Sequence, residues 1–248
     1  MARDDDPRGL PPLTYLGRTS APPPVWLETR ALLEHSRLRR DPLFAGDHLP
    51  RGGGRPVLLV PGFMGGDRSM LTLREWLRRL DYDVEESGLT FNIRYSEAVL
   101  RTLTPRMARL FDRSRRRVTI VGHSRGGLLA KVLSDRHPRL VRRVVGLGSP
   151  LADPFDVHPL TMAGVRMAQA VNLVRFGQTG EAEVRFLRDL SAPARVPLTS
   201  IYSRSDGIVH WEACLRPDAT CLEVTGSHTG LGVNPEVYAL LARVLAGG

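Results

Sequence analysis

The stretch Val118 to Gly127, VTIVGHSRGG, sets Ser124 between Gly122 and Gly126 at the end of an apolar run. Gly-x-Ser-x-Gly acquires chemical meaning when a strand precedes it and a helix follows. Both conditions are met: RVTIVG reads as a buried strand, and GGLLAKVLSDRH as a helix. A serine on such a turn has strained backbone angles and a hydroxyl that projects clear of the sheet. The flanking glycines remove β-carbons that would collide with neighbouring backbone, and the helix N-terminus favours developing negative charge. The competing reading is a structural serine in a turn.

A serine hydroxyl attacks only after a base takes its proton. Downstream of Ser124 the histidines are His137, His158, His210 and His228. On a sheet of this kind the order is serine, carboxylate, histidine. His228, in the glycine-rich VTGSHTGLG between the last strand and the last helix, fits best, with His210 as second candidate. His123 is expected to pack beneath the serine turn. Asp206, in YSRSDGIV at the end of a strand, is the carboxylate that would orient the imidazole. Its bland reading is a turn aspartate capping its own backbone. Asp153 and Asp156 compete with it, and Asp218 falls at the wrong sheet edge. An oxyanion hole needs two donors: the backbone N–H of Arg125, and that of Phe63 in the turn VLLVPGFMGG.

The elements that must position these groups alternate. RPVLLV, YDVEESGL, RVTIVG, VRRVVGLGS, VPLTSIYS and TCLEVTG read as strands. SMLTLREWLRRL, EAVLRTLTPRMARLFDRS (broken or kinked near Pro105), GGLLAKVLSDRH and NPEVYALLARVL read as helices. The pattern implies an α/β architecture, a mostly parallel sheet with helices on both faces. Two successive helical stretches, FDVHPLTMAGVRMAQAVNLVRFG and EAEVRFLRDL, interrupt it as a helical cap insertion at about 151–195. Residues 1–55 read as an N-terminal extension: PRGLPPL and SAPPP extended, Val25 to Leu38 one amphipathic helix, PRGGGR a linker. Residues 56–248 form the catalytic-type domain.

From about residue 56 onward the chain resembles the α/β-hydrolase superfamily, in particular bacterial lipase/esterase-like serine hydrolases. VPGFMGG is similar to the oxyanion turn of that family, VGHSRGG to its nucleophile elbow, SRSDGIV to its acid loop and GSHTGL to its histidine loop. One departure is Pro61-Gly62 where many lipases carry His-Gly. The resemblance implies hydrolysis of carboxylic, acyl or lipid-like esters through an acyl-enzyme on Ser124, with no cofactor and no metal. Acyl transfer by the same triad and a non-catalytic binding protein on this fold are the alternatives. The cap would lie over the triad, with Met64, Val165, Ala168 and Val171 expected to line the substrate. Bulky residues at Ala168 or Val171 should then shorten the preferred acyl chain. A cap packed permanently on the core is the plainer alternative.

The formal charge of +9 raises a nucleic-acid reading, but Lys131 is the only lysine, and the arginine runs RSRRR and RLRR lack interleaved aromatics. They read as solvated faces, with peripheral contact to an anionic membrane as the other use. No apolar run is long enough for a transmembrane helix, and the acidic start MARDDDPRGL is unlike a signal peptide, so a cytoplasmic location is expected. Cys214 and Cys221 are expected as two thiols, a disulfide being the alternative. Oligomeric state is not legible.

Overall fold

A computed structural model of the protein describes residues 24–176 and 180–247. The strands are β1 (Pro56–Val60), β2 (Asp83–Glu86), β3 (Val118–His123), β4 (Val141–Leu147), β5 (Leu198–Ser203) and β6 (Thr220–Val224). They form a six-stranded sheet, every pairing parallel, in the order β2-β1-β3-β4-β5-β6. The helices are α1 (Ala31–Arg40), α2 (Pro42–Ala45), α3 (Leu71–Arg79), α4 (Ser96–Ser114), α5 (Arg125–Arg136), α6 (Pro159–Phe176), α7 (Gly180–Ser191) and α8 (Pro235–Ala246).

Central strands buried on both faces read as continuous apolar runs, which is why β1 is PVLLV. Alternate residues supply opposite faces. Leu59, Val121, Val145 and Ile201 pack with Trp76 and Tyr238 on one side. Leu58, Ile120, Val144 and Leu198 pack with Leu103 and Leu129 on the other. Register aligns Val60 with Gly122 across β1 and β3, and Gly122 with Gly146 across β3 and β4. The strand ends that carry the candidate groups therefore share one edge. The outer strand β2 is acidic, and Arg113 on α4 grips it at 2.7 Å from Asp83 and 2.9 Å from Glu85. One arginine of the RSRRR run is thus part of the fold.

Several boundaries differ from the sequence reading. The N-terminal helix starts as a 3-10 turn, Val25–Arg30, before α1. Leu38 and Phe44 join the core beside Trp76, whose indole N–H donates to the Leu43 carbonyl at 3.0 Å, so this segment packs on the sheet domain. α4 runs as one helix through Pro105. α6 begins at Pro159, a favoured first helical residue, while Val157 forms an antiparallel bridge with Val209. Buried Lys131 on α5 pins α7, donating to the Asp189 carbonyl at 2.7 Å and pairing with Asp135 at 2.8 Å. The extended readings of residues 7–13 and 20–23 lie outside the described residues, as does Gly177 in the first cap stretch. No helix among the described residues is long and apolar enough to cross a membrane.

Candidate active site

Ser124 follows β3 and precedes α5 with φ 52° and ψ −124°, a conformation that costs a non-glycine residue free energy. Packing enforces the turn. A β-carbon on Gly126 would lie 2.1 Å from the Val60 carbonyl oxygen, and one on Gly122 only 2.4 Å from the Gly126 backbone. Only glycine lets β1, β3 and α5 approach this closely, and the approach fixes where the serine stands.

Asp206 and His228 meet from the loops after β5 and β6. His228 Nδ1 lies 2.7 Å from Asp206 Oδ2, and both residues are buried. The other oxygen, Oδ1, accepts the amides of Ile208 at 2.8 Å and Val209 at 2.7 Å. Those bonds fix the carboxylate, so Nδ1 is the donor and Nε2 carries the free lone pair. Burial pulls the His228 imidazole down. The charge and hydrogen bond of Asp206, with the Glu28 carboxylate, outweigh it and leave His228 above its ordinary value.

His123 does more than pack beneath the turn. Its Nε2 donates to the His228 carbonyl at 2.9 Å, and the two rings lie 4.8 Å apart. Burial first, then the neighbouring His228, holds His123 down to about 4, so it is neutral near pH 7. Ser124 thus adjoins the Asp206–His228 pair through its chain neighbour. Among the described residues no hydrogen bond joins its hydroxyl to His228 Nε2, a bond that in ligand-free sites often tightens only around substrate.

The rival groups are engaged elsewhere. Asp156 and His210 pair with each other at 2.7 Å. Asp153 accepts the Phe155 amide within its own turn at 3.1 Å. Asp218 is held by Arg216 at 2.7 Å and accepts the Ala194 amide, away from the site.

Arg125 is the first residue of α5, where an amide has no partner within its helix. In the facing turn, the Met64 amide goes to the Asn92 carbonyl and the Gly65 amide to the Gly62 carbonyl, which leaves Phe63 N–H outside this set. Asn92, which no sequence motif marks, fastens the two halves. Its side chain donates to the Pro61 carbonyl at 2.8 Å and accepts from the Arg125 guanidinium at 2.7 Å. The Arg125 side chain is therefore a strut between the helix start and the facing turn.

A cavity of about 100 Å³ opens between the elbow and the cap. Ser124, Phe63 and Arg125 lie on its wall, while Asp206 and His228 are not among its lining residues. From α6 it takes Thr161, Met162, Val165, Ala168, Gln169 and Asn172, one helical face. Val165 and Ala168 therefore line it. Val171 does not: it is on the far side of the helix, 53% exposed. Met64 does not either, being 63% exposed with φ 58° at the turn surface. Cys214 is buried and Cys221 partly so, and both are free thiols. No cluster of His, Cys, Asp or Glu that could hold a metal occurs among the described residues.

The sheet order, the strained serine turn and the two loops define the α/β-hydrolase fold, and solved structures agree. The mature Bacillus licheniformis lipase BlEst2 is similar with a TM-score of 0.59 and 15% identity, over 80% of this chain and 94% of that one. The Paleococcus ferrophilus monoacylglycerol lipase gives 0.54 and 16%, over 77% and 95%. The thioesterase domain from the curacin biosynthetic pathway gives 0.53 and 16%, over 80% and 93%. No protein-family model and no curated protein matches the sequence.

Proposed function

We propose that the protein is a serine hydrolase of carboxylic esters that acts through an acyl-enzyme on Ser124. One observation carries this reading: the buried 2.7 Å Asp206–His228 pair converges on the sheet edge where Ser124 is held in a strained turn. The lipase and thioesterase names of the structural neighbours are consistent with it.

In the first half-reaction, His228 Nε2 takes the Ser124 proton as Oγ bonds to the ester carbonyl carbon. The imidazolium gains stability from Asp206. Negative charge on the former carbonyl oxygen meets the amides of Phe63 and Arg125, each such donor being worth about 100- to 1000-fold in rate. Collapse breaks the bond to the alcohol oxygen, which leaves with the proton from His228. Water then attacks the acyl-enzyme by the same steps, releasing the acid and restoring Ser124. The acyl group lies along Leu128, Met162, Val165, Ala168, Phe186 and Leu187, whose apolar surface favours an alkyl chain over a charged acid.

The test is covalent labelling by a fluorophosphonate probe together with turnover of chromogenic esters, with Ser124→Ala as the blank. Labelling and turnover lost in the variant support the reading. An unlabelled, inactive wild type, or a fully active variant, rejects it.

A further inference from the structure

Two carboxylates from the N-terminal segment reach into the loops that hold Asp206 and His228. Glu28, in the 3-10 turn Val25–Arg30, accepts three backbone amides. Its Oε1 takes those of Gly207 at 3.0 Å and His228 at 2.8 Å, and its Oε2 that of Thr229 at 2.7 Å. One side chain therefore ties the acid loop to the histidine loop. Farther along, Glu34 on α1 is buried and accepts the Ser227 amide and the Ser227 hydroxyl, both at 2.9 Å. The histidine loop leaves room for it: a β-carbon on Gly230 would lie 1.3 Å from Glu34 Oε2.

A carboxylate withdrawn from water needs donors, and backbone N–H groups at the start of a helical turn supply them. The histidine loop enters the 3-10 turn Thr229–Val233 at His228, so its free amides point outward. Glu28 and Glu34 meet those amides from outside. The arrangement also sets distance: Asp206 and His228 lie on different loops, and their 2.7 Å contact depends on holding Gly207 and His228 together.

We infer that Glu28 is a positioning residue for His228, clamping the histidine loop to the acid loop, with Glu34 seating the preceding Ser227. The N-terminal segment is then part of the catalytic apparatus rather than an appendage to it. The inference rests on the hydrolase reading above for its kinetic consequences, though not for its geometry. Among the described residues, the titratable groups that act on His228 are Asp206 from the loop after β5, His123 from the end of β3, and Glu28 from the N-terminal turn, with Glu34 of α1 seated one residue away on Ser227. His123 is neutral near pH 7, so Glu28 is the negative charge other than Asp206 that favours the imidazolium.

The test compares Glu28→Ala, Glu28→Gln and Glu28→Asp with wild type in the full chain. Ester turnover is followed from pH 5 to 9, and the His228 imidazole is titrated by NMR on histidine-labelled protein. Glu28→Ala should lower kcat by about 10- to 100-fold with KM little changed, because the loops lose their register. Glu28→Gln keeps an Oε1 acceptor for Gly207 and His228 and should recover part of kcat. Lacking the charge, it should also move the acid limb and the His228 titration to lower pH. Glu28→Asp keeps the charge and should leave that titration in place. Wild-type kcat in Glu28→Ala with an unmoved His228 titration overturns the inference. So does an equal loss in all three variants with a lowered melting temperature and an unmoved titration, which would make Glu28 a brace for the fold alone. An inactive, unlabelled wild type would reject the hydrolase reading, and the NMR titration would still decide the coupling of Glu28 to His228.

Discussion

The imidazoles of His123 and His228 lie 4.8 Å apart, with His123 Nε2 donating to the His228 carbonyl, and their proton affinities are displaced in opposite directions. Burial lowers His123 to about 4 from its ordinary 6.5. Between those values the unfolded chain binds a proton there that the folded chain does not, so folding stability falls as pH drops through that window. His228 has the opposite sign: its contribution is complete below its ordinary value and is lost as pH rises through its raised one. Substituting His123 separates the two. His123→Phe should lose less stability than wild type between pH 7 and pH 4, measured by urea unfolding at each pH. Parallel loss in both proteins would show that His123 is protonated freely in the fold.

Ser124 holds φ 52° without being glycine. Strain of this kind is worth about 1 to 3 kcal/mol, and glycine relieves it. Ser124→Gly should therefore be inactive yet melt at a higher temperature than Ser124→Ala. Equal melting temperatures would mean that the turn stores no strain at this residue.

What the sequence revealed of the site follows from how local each constraint is. Ser124 was legible because its strand, its helix and the glycines that permit their approach are contiguous in the chain. Parallel strands buried on both faces announced themselves as unbroken apolar runs such as PVLLV. Contacts made across the chain left no such mark. Glu28 meets Thr229 from 201 positions away, and Asn92 meets Arg125 from 33, with nothing in ETR or FNIRYS to signal a partner. Asp156 and His210 looked like rivals of Asp206 and His228 for the same reason: each has the right type and edge, and only folding shows that they pair with each other. The face of α6 was equally hidden, because apolar residues surround that helix and its periodicity does not choose a side.

That pairing gives a test of the acid. Asp206→Asn removes the charge that favours imidazolium and exchanges an acceptor for a donor opposite Nδ1, which should cost about 10³- to 10⁴-fold in kcat. Asp156→Asn disturbs its contact with His210 and should lower the melting temperature while leaving ester turnover close to wild type. The reverse pattern, a dead Asp156→Asn beside an active Asp206→Asn, would transfer the role to Asp156.

The cap offers a comparison between two positions on one helix. Ala168 faces the cavity beside Ser124, whereas Val171 is three residues on and points to solvent. An indole at Ala168 has to occupy space that the acyl chain would use, because Ala168 lines the same cavity as Ser124, Phe63 and Leu128. Each methylene excluded from an apolar pocket is worth about 1 to 3 kcal/mol. Ala168→Trp should therefore lower kcat/KM for an octanoate ester by about 10-fold or more relative to an acetate ester. Val171→Trp places the same indole on the outer face and should leave the octanoate-to-acetate ratio unchanged. Equal loss on both esters in Ala168→Trp, with a lowered melting temperature, would make this wall packed core rather than an acyl site. A shifted ratio in Val171→Trp would move the acyl path to the outer face of α6.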